Sequence, residues 1–476
     1  MKFSKLRFQI ILFVVVLSLN LAVSAQTYND STLSSVRAKD AVSRDATGKL
    51  QTLTAAEHSF RADVYSSNRV FASAREHWQK ILDKYPTDPN VPKALFGIAR
   101  SYMWEKDYAF AVQYFDRLIR DYMATKEGRE GLAFKGASLV RLNKPLEAAR
   151  VYEQYTVMFP TGERVESSYL NVIDAYREAG KASDALVWVS KTRARFPRTA
   201  TETNAVFGKL RLEINQKKWL QAAATADELR ALPQGKGAMT SQAEIVFLKA
   251  YALEKANRLD EAINAYFSVS ENLNSYYGWL ATDRLQNLMR KNDDVRRANL
   301  SNRQARMRSA ALQTVSQYPA LYRDELARNA IPRRVDPRFV LSIMKQESSF
   351  RADAKSPAAA RGLLQLTVDT AAKYTNQAQI INLQPEDLYR PSVSIALGSV
   401  YLAELQHEFG GLPEAVAASY NGGEENAARW LRRADSKEPF VFAAEVGFAE
   451  TKDYVFKVMS NYRIYQELYT EDLRRK

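Results

Sequence analysis

An all-α fold is predicted by two observations. Between about Ala55 and Asn272 the chain repeats with a period of 37 residues, and further on its segments open with helix-start residues and then place apolar side chains at helical spacing. With 476 residues, 46% of them hydrophobic, the chain has material for roughly three packed domains of about 150 residues each.

The first element is "MKFSKLRFQIILFVVVLSLNLAVSAQ". Lys2, Lys5 and Arg7 precede an apolar run from Ile10 to Val23, and Val23-Ser24-Ala25 is a small-x-small cleavage signal. This predicts a secretory signal peptide over 1–25, cut after Ala25, with an extension at 26–54. A retained membrane anchor is the competing reading, but the run is short beside the about 20 residues a bilayer requires. No cysteine occurs anywhere, which excludes a thiolate nucleophile, a cysteine zinc site, a disulfide framework and a lipidated cysteine. His58, His77 and His407 are scattered, without metal-ligand spacing, and read as single core or surface residues. The formal charge of +14 falls by three on removal of the leader and favours an anionic partner. Export points away from nucleic acid and towards cell-wall glycans, their acidic stem peptides or lipid head groups.

The second element is the repeat, at 55–272. Ala74, Ala111, Ala148, Ala185 and Ala222 lie 37 residues apart, and the first three open "AREHW", "AVQYF" and "AARVY" with an aromatic four positions on. A small residue and an aromatic at i and i+4 share one helix stripe. Lys106, Asn143, Gly180 and Lys217 occupy the turn ahead of each such helix, and Pro86, Pro160 and Pro197 close three of them. A further unit, "EKANRLDEAINAYF", follows after 40 residues. The units resemble tetratricopeptide-type hairpins, and because one hairpin cannot bury its own apolar face, stacking about six builds a superhelix. Trp78, Phe115 and Tyr152 read as core. From "NSYYGWLATDRLQNL" to about Tyr318 the period is lost, and "RKNDDVRRANLSNRQARMR" reads as a solvated helix or loop. The stretch 273–319 is a connector.

The last element, 320–476, holds "DPRFVLSIMKQESSF", with Asp336 as N-cap and Pro337 at the first helical position. Val340, Ile343, Met344 and Glu347 then share one face, so a carboxylate arrives among apolar neighbours. Desolvation there raises a carboxyl pKa and makes a general acid. A glutamate at a frayed helix end, facing water, is the other reading of this fragment. "ADAKSPAAARGLLQL" predicts a small-residue loop around Ser356, Pro357 and Gly362, then a helix from about Gly362. Gln365 can donate and accept. "ASYNGGEENAARWL" places Tyr420 and Asn421 before a Gly422-Gly423 turn and a helix ending at Trp430, a ring beside an amide as sugar sites often use.

"ESSFRADAKSPAAARGLLQLT", "DLYRPSVSIALGSVYLAEL", "SYNGGEENAARWL" and "FAETKDYV" resemble, in order and spacing, the motifs of the soluble lytic murein transglycosylase family. "YYGWLATDRL" resembles that family's linker, and the repeats resemble its superhelix. The resemblance implies a lysozyme-like catalytic domain in which Glu347 is the single catalytic acid and base. It implies substrate-contacting roles for Ser356, Gln365, Thr367, Tyr420, Asn421, Glu450 and Tyr454. Thr367-Val368, Gly422, Lys452, Arg390 and Ser394 depart from the usual residues, Lys452 where arginine is usual, and put subsite detail in doubt. The implied reaction cleaves the MurNAc–GlcNAc bond of peptidoglycan strands in the periplasm, closes a 1,6-anhydro ring, and needs no metal or organic cofactor. Protein partners on the repeats, a lysozyme-like hydrolysis at the same glutamate, and a scaffold with an inactive glycan-binding domain remain the alternatives. Nucleic acid is not an expected partner, and no membrane span is expected after leader cleavage.

Overall fold

The computed structural model describes residues 30–289 and 293–476; the predicted leader at 1–25 lies outside them. Among the described residues every element is helical apart from isolated bridges, and no helix is long and apolar enough to cross a membrane.

Six helical hairpins follow one another: Ala55–Ser67 with Phe71–Lys84, Val91–Trp104 with Tyr108–Tyr122, Lys126–Arg141 with Pro145–Met158, Val165–Glu178 with Ala182–Arg195, Ala200–Asn215 with Trp219–Arg230, and Gln242–Lys255 with Leu259–Ser268. The alanines spaced by 37 residues, and Ala262 after them, are all buried. They let the second helix of each hairpin approach the first closely; Trp78 and Phe115 fill one core with Ala74 and Ala111, and Tyr152 fills the next with Ala148. The contact is tight enough that, within the third hairpin, a Cβ on Gly136 would stand 2.6 Å from the Tyr152 ring, and between the first and second hairpins a Cβ on Gly97 would stand 2.5 Å from the Trp78 ring.

One backbone device closes all six hairpins. Arg69, Lys106, Asn143, Gly180, Lys217 and Asn257 each take a left-handed φ between 57° and 70°. The next residue's N–H reaches back to a carbonyl in the last turn, as in Asp107 to Tyr102, Lys144 to Leu139 and Lys181 to Tyr176. These are Schellman closures, in which the left-handed residue satisfies carbonyls that the helix end leaves open. Only one of the six is glycine. Gly180 has φ +70° and open space around a built Cβ, so Gly180→Ala is a purely conformational change, expected to cost about 1 kcal/mol in urea unfolding.

Two histidines are core residues, as read, but not single ones. His58 and His77 meet Nδ1 to Nδ1 at 2.9 Å, and His77 Nε2 lies 3.0 Å from Asp40. Asp40 comes from the helix Asp30–Val42 and also accepts from Tyr65 at 2.6 Å and Arg61 at 2.5 Å. The cluster pins the N-terminal helix to the first hairpin, and burial brings the His58 pKa down to about 4.

The connector is not simply solvated. It forms the helices Tyr276–Leu288 and Asp294–Gln313. The second buries a stripe of Leu300, Arg303, Met307 and Ala311. Arg303 donates to Thr282 Oγ1 at 2.7 Å and to the carbonyls of Val269 and Gly278 at 2.9 and 3.1 Å. A basic run hides one inward arginine because three acceptors replace its water.

The superhelix wraps the C-terminal domain. Trp104, Arg141, Glu178 and Asn215 stand 37 residues apart at equivalent places in the first helices of successive hairpins. The helix Glu424–Ala434 runs along this wall. Lys106 pairs with Glu424 at 3.2 Å, Arg141 donates to Asn426 at 3.3 Å, Glu178 lies 3.6 Å from Arg429, and Asn215 donates to the Arg433 carbonyl at 2.8 Å. Arg69 meets Asp369 at 3.3 Å, bringing the first hairpin onto the same domain. Inside this interface three guanidinium groups, Arg177, Arg211 and Arg433, surround two carboxylates, Asp174 and Glu445. Glu445 is 1% exposed, and its arginine neighbours hold its pKa at about 2 against the burial that would raise it.

Candidate active site

The helix Pro337–Ser348 starts as its sequence demands. Asp336 caps it by accepting from the Arg338 N–H at 2.8 Å, and Pro337 occupies the first turn. Val340, Ile343 and Met344 are fully buried, so Glu347 is carried to the edge of the core on their face and is half-buried. Ser348 points inward and donates to the Leu363 carbonyl at 2.9 Å, fixing this helix end to the following loop.

That loop differs from the expectation. No helix begins at Gly362: Arg361 and Leu366 exchange backbone hydrogen bonds at 2.9 and 3.1 Å, and the next helix is Val368–Ala372. The cause is left-handed backbone at Gly362 (φ +76°) and Gln365 (φ +47°). A Cβ at Gly362 would stand 1.9 Å from the Leu388 carbonyl oxygen, so only glycine fits. Tyr420 and Asn421 are also placed differently from the reading. They lie in the last turn of the helix Pro413–Gly422, the break is at Gly423 (φ +87°), and the next helix runs past Trp430 to Ala434.

The predicted residues fall into two groups. Glu347, Glu450 and Tyr454 come together. The Tyr454 hydroxyl donates to Glu347 Oε1 at 2.7 Å. Burial raises the Glu347 pKa to about 7, the Glu450 charge adds to the rise, and the Tyr454 hydrogen bond opposes it. Tyr454 and Tyr420 are both held well above the usual phenol range, first by burial and then by the nearby Glu347 charge, so they remain donors.

The second group builds the walls. The Tyr420 hydroxyl donates to the Leu364 carbonyl at 2.6 Å, and its ring packs on Tyr401. Gln365 donates its amide to the carbonyls of Ala354 and Gly362 at 3.0 and 2.8 Å. Ser356 is buried and accepts from the Ala360 N–H at 3.1 Å. Thr367 caps the Val368–Ala372 helix. Asn421 accepts from Thr451 Oγ1 at 2.6 Å. Thr367, Tyr420 and Asn421 also line a cavity of about 610 Å³ whose opposite wall belongs to the first three hairpins, with Arg69, Trp104 and Lys106 facing in. Glu347, Ser356, Gln365, Glu450 and Tyr454 are not among its lining residues.

Three contributors were missed by the sequence reading. Tyr401 sits in the quoted "LGSVYLAEL" segment and Thr451 in "FAETKDYV", but spacing does not reveal that one backs Tyr420 and the other tethers Asn421. The third is Lys452. As a departure it was expected to change subsite detail, yet it is 3% exposed and points away from the cleft into the superhelix.

Comparison with known proteins follows the same division. Residues 327–442 match the Transglycosylase SLT domain, and residues 61–124 match a tetratricopeptide repeat. A putative soluble lytic murein transglycosylase of Haemophilus influenzae is 34% identical over 139 residues, 29% of this chain and 23% of that protein. The soluble lytic murein transglycosylase of Salmonella typhimurium is 28% identical over 145 residues, 30% of this chain and 22% of that one. The matched stretch thus spans less than a quarter of these curated relatives. Among solved structures, the lytic transglycosylase Slt of Pseudomonas aeruginosa, studied as an inactive glutamate-to-glutamine mutant, aligns over 87% of this chain and 80% of its own, with a TM-score of 0.50 at 19% identity. That likeness is one of fold. By its sequence motifs and its domain match, the C-terminal part of the chain, residues 327–442, is similar to the transglycosylase SLT domain family.

Proposed function

We propose that the chain is a peptidoglycan lytic transglycosylase that cleaves the MurNAc–GlcNAc β-1,4 bond, in cell-wall turnover or remodelling in the periplasm. The observation that carries this reading is the Glu347 carboxyl, lifted to about 7 by burial and held by Tyr454. A group titrating there is protonated often enough to donate and ionised often enough to accept.

Glu347 donates its proton to the glycosidic oxygen as the bond from the muramyl C1 breaks. The substrate's own acetamido group supports the cationic centre. Glu347 then takes the proton of the C6 hydroxyl while O6 bonds to C1, which closes the 1,6-anhydro ring and returns the carboxyl to its starting state. No water is consumed. Tyr420 and Asn421, Ser356, Gln365 and Thr367 are the proposed sugar-contacting residues, with Glu450 and Tyr454 beside the acid. SLT-domain relatives named as soluble lytic murein transglycosylases support the substrate class.

Hydrolysis by the same glutamate is the second reading, because a proton donor near neutral pH suits it equally. Mass spectrometry of products from purified sacculi separates the two. Muropeptide ends lighter than reducing ends by one water are expected, and reducing ends alone would replace this proposal with hydrolysis.

A further inference from the structure

The helix Ala449–Leu468 sends three side chains of its opening turns to three different bodies. Thr451 donates to Asn421 on the Pro413–Gly422 helix at 2.6 Å. Tyr454 donates to Glu347 at 2.7 Å. Lys452, two residues before Tyr454 and therefore about 200° away around a helix of 3.6 residues per turn, enters the superhelix. Its ammonium lies 2.7 Å from Glu244 Oε1 and 2.8 Å from the Met239 carbonyl, above the Phe207 ring at 4.4 Å. Glu244 is fully buried and also accepts from Tyr277 at 2.8 Å.

Neither charge has water to retreat into. Burial lowers the Lys452 pKa, the Arg211 charge adds to that, and Glu244, with the more distant Glu445, opposes it. A buried ammonium separated from its carboxylate is left uncompensated, so the pair holds the helix at one rotation and one distance from the superhelix. The opposite side of that turn is the side that meets Glu347. The groups facing the Glu347 carboxyl are Tyr454 and Glu450 from this helix and Tyr420 from the Pro413–Gly422 helix.

We infer that the Glu244–Lys452 pair is a positioning device for the proposed catalytic acid, through which the sixth hairpin of the superhelix keeps the Tyr454 hydroxyl on the Glu347 carboxyl. Glu244 and Lys452 touch neither substrate nor the reacting atoms; they act through Tyr454. The catalytic part of this inference rests on the function proposed above, whereas the mechanical part does not.

The test uses the full chain with selectively labelled glutamate carboxyls and follows Glu347 by NMR titration, alongside steady-state cleavage of peptidoglycan. The Lys452→Met/Glu244→Leu double variant removes both charges together, so it strands neither, and it is expected to fold with a melting temperature lowered by a few degrees because the Tyr277 hydroxyl loses its acceptor. Because the Tyr454 hydrogen bond favours the ionised carboxyl, its loosening moves the Glu347 midpoint upwards, by about half to one pH unit. A fall in kcat of about tenfold with KM unchanged is expected to accompany it. Lys452→Arg keeps the charge and restores both readouts. Glu244→Gln, which keeps the side-chain shape, shifts the midpoint in the same direction by less. An unmoved Glu347 titration in the folded double variant, or in Glu244→Gln should the double variant not fold, overturns the inference even if activity falls. A wild-type chain that does not cleave peptidoglycan removes the proposed function, while the titration still decides the mechanical claim.

Discussion

Glu347→Gln is expected to abolish cleavage of purified peptidoglycan and, at the same time, to make the protein more stable above neutral pH. Loss of a general acid that also serves as base removes on the order of 10²–10⁴-fold in rate, and glutamine can neither give nor take the proton. Substantial residual turnover in a folded variant would take Glu347 out of the chemistry. The stability effect has the opposite sign because the carboxyl is strained by its surroundings. Its folded pKa, about 7, stands above the ordinary 4.5, so the folded protein holds this proton more tightly than the unfolded chain does. That favours folding fully below about pH 4.5 and is lost as the pH rises through 7. Above neutrality the wild type carries a desolvated carboxylate worth about 3 kcal/mol of penalty, which glutamine avoids. Thermal melts at pH 5 and pH 8 check this, the variant's advantage being small at the first and largest at the second.

The second large effect is at the interface. Glu445→Gln leaves Arg177, Arg211 and Arg433 facing Asp174 alone, so an already cation-rich buried cluster gains a further unpaired charge. Breaking a buried ion pair by removing one partner costs about 3–5 kcal/mol, and the urea midpoint at pH 7 should fall accordingly. The sign with pH is the reverse of that at Glu347. Glu445 is held down to about 2, so its contribution is complete above the ordinary carboxylate range and fades as the pH falls through about 2. The wild type and the variant should therefore differ most near neutrality and converge in strong acid. Equal midpoints at pH 7 would show that this cluster does not hold the superhelix on the C-terminal domain.

What the sequence displayed well was periodic. Each repeat alanine must be small for a geometric reason, so it recurs at a readable interval and the all-α class followed. The residues ahead of each second helix were also visible, although the left-handed backbone they share was not, because Lys106, Asn143 and Lys217 are ordinary side chains in a conformation that glycine usually takes. The Asp336-Pro337 start and the apolar face leading to Glu347 were legible because cap and spacing act within one helix. The loop after it was not: Gly362 looked like a helix start, whereas its positive φ and its approach to the Leu388 carbonyl depend on a segment some 26 residues away in the chain. Lys452 failed to announce itself for the same reason. Its counter-charge, Glu244, lies 208 positions earlier, and no local pattern links the two.

The repeat slips from 37 to 40 residues between Ala222 and Ala262, and the slip has a location. Residues 231–241 form the longest join between successive hairpins, and the carbonyl that grips the Lys452 ammonium belongs to Met239 within it. An idealised array averaged from this chain's units would delete that irregular join first. It would stack as well as the original yet lose one grip on the domain it encloses, since the stretch that spoils the rhythm supplies the carbonyl under the Lys452 ammonium.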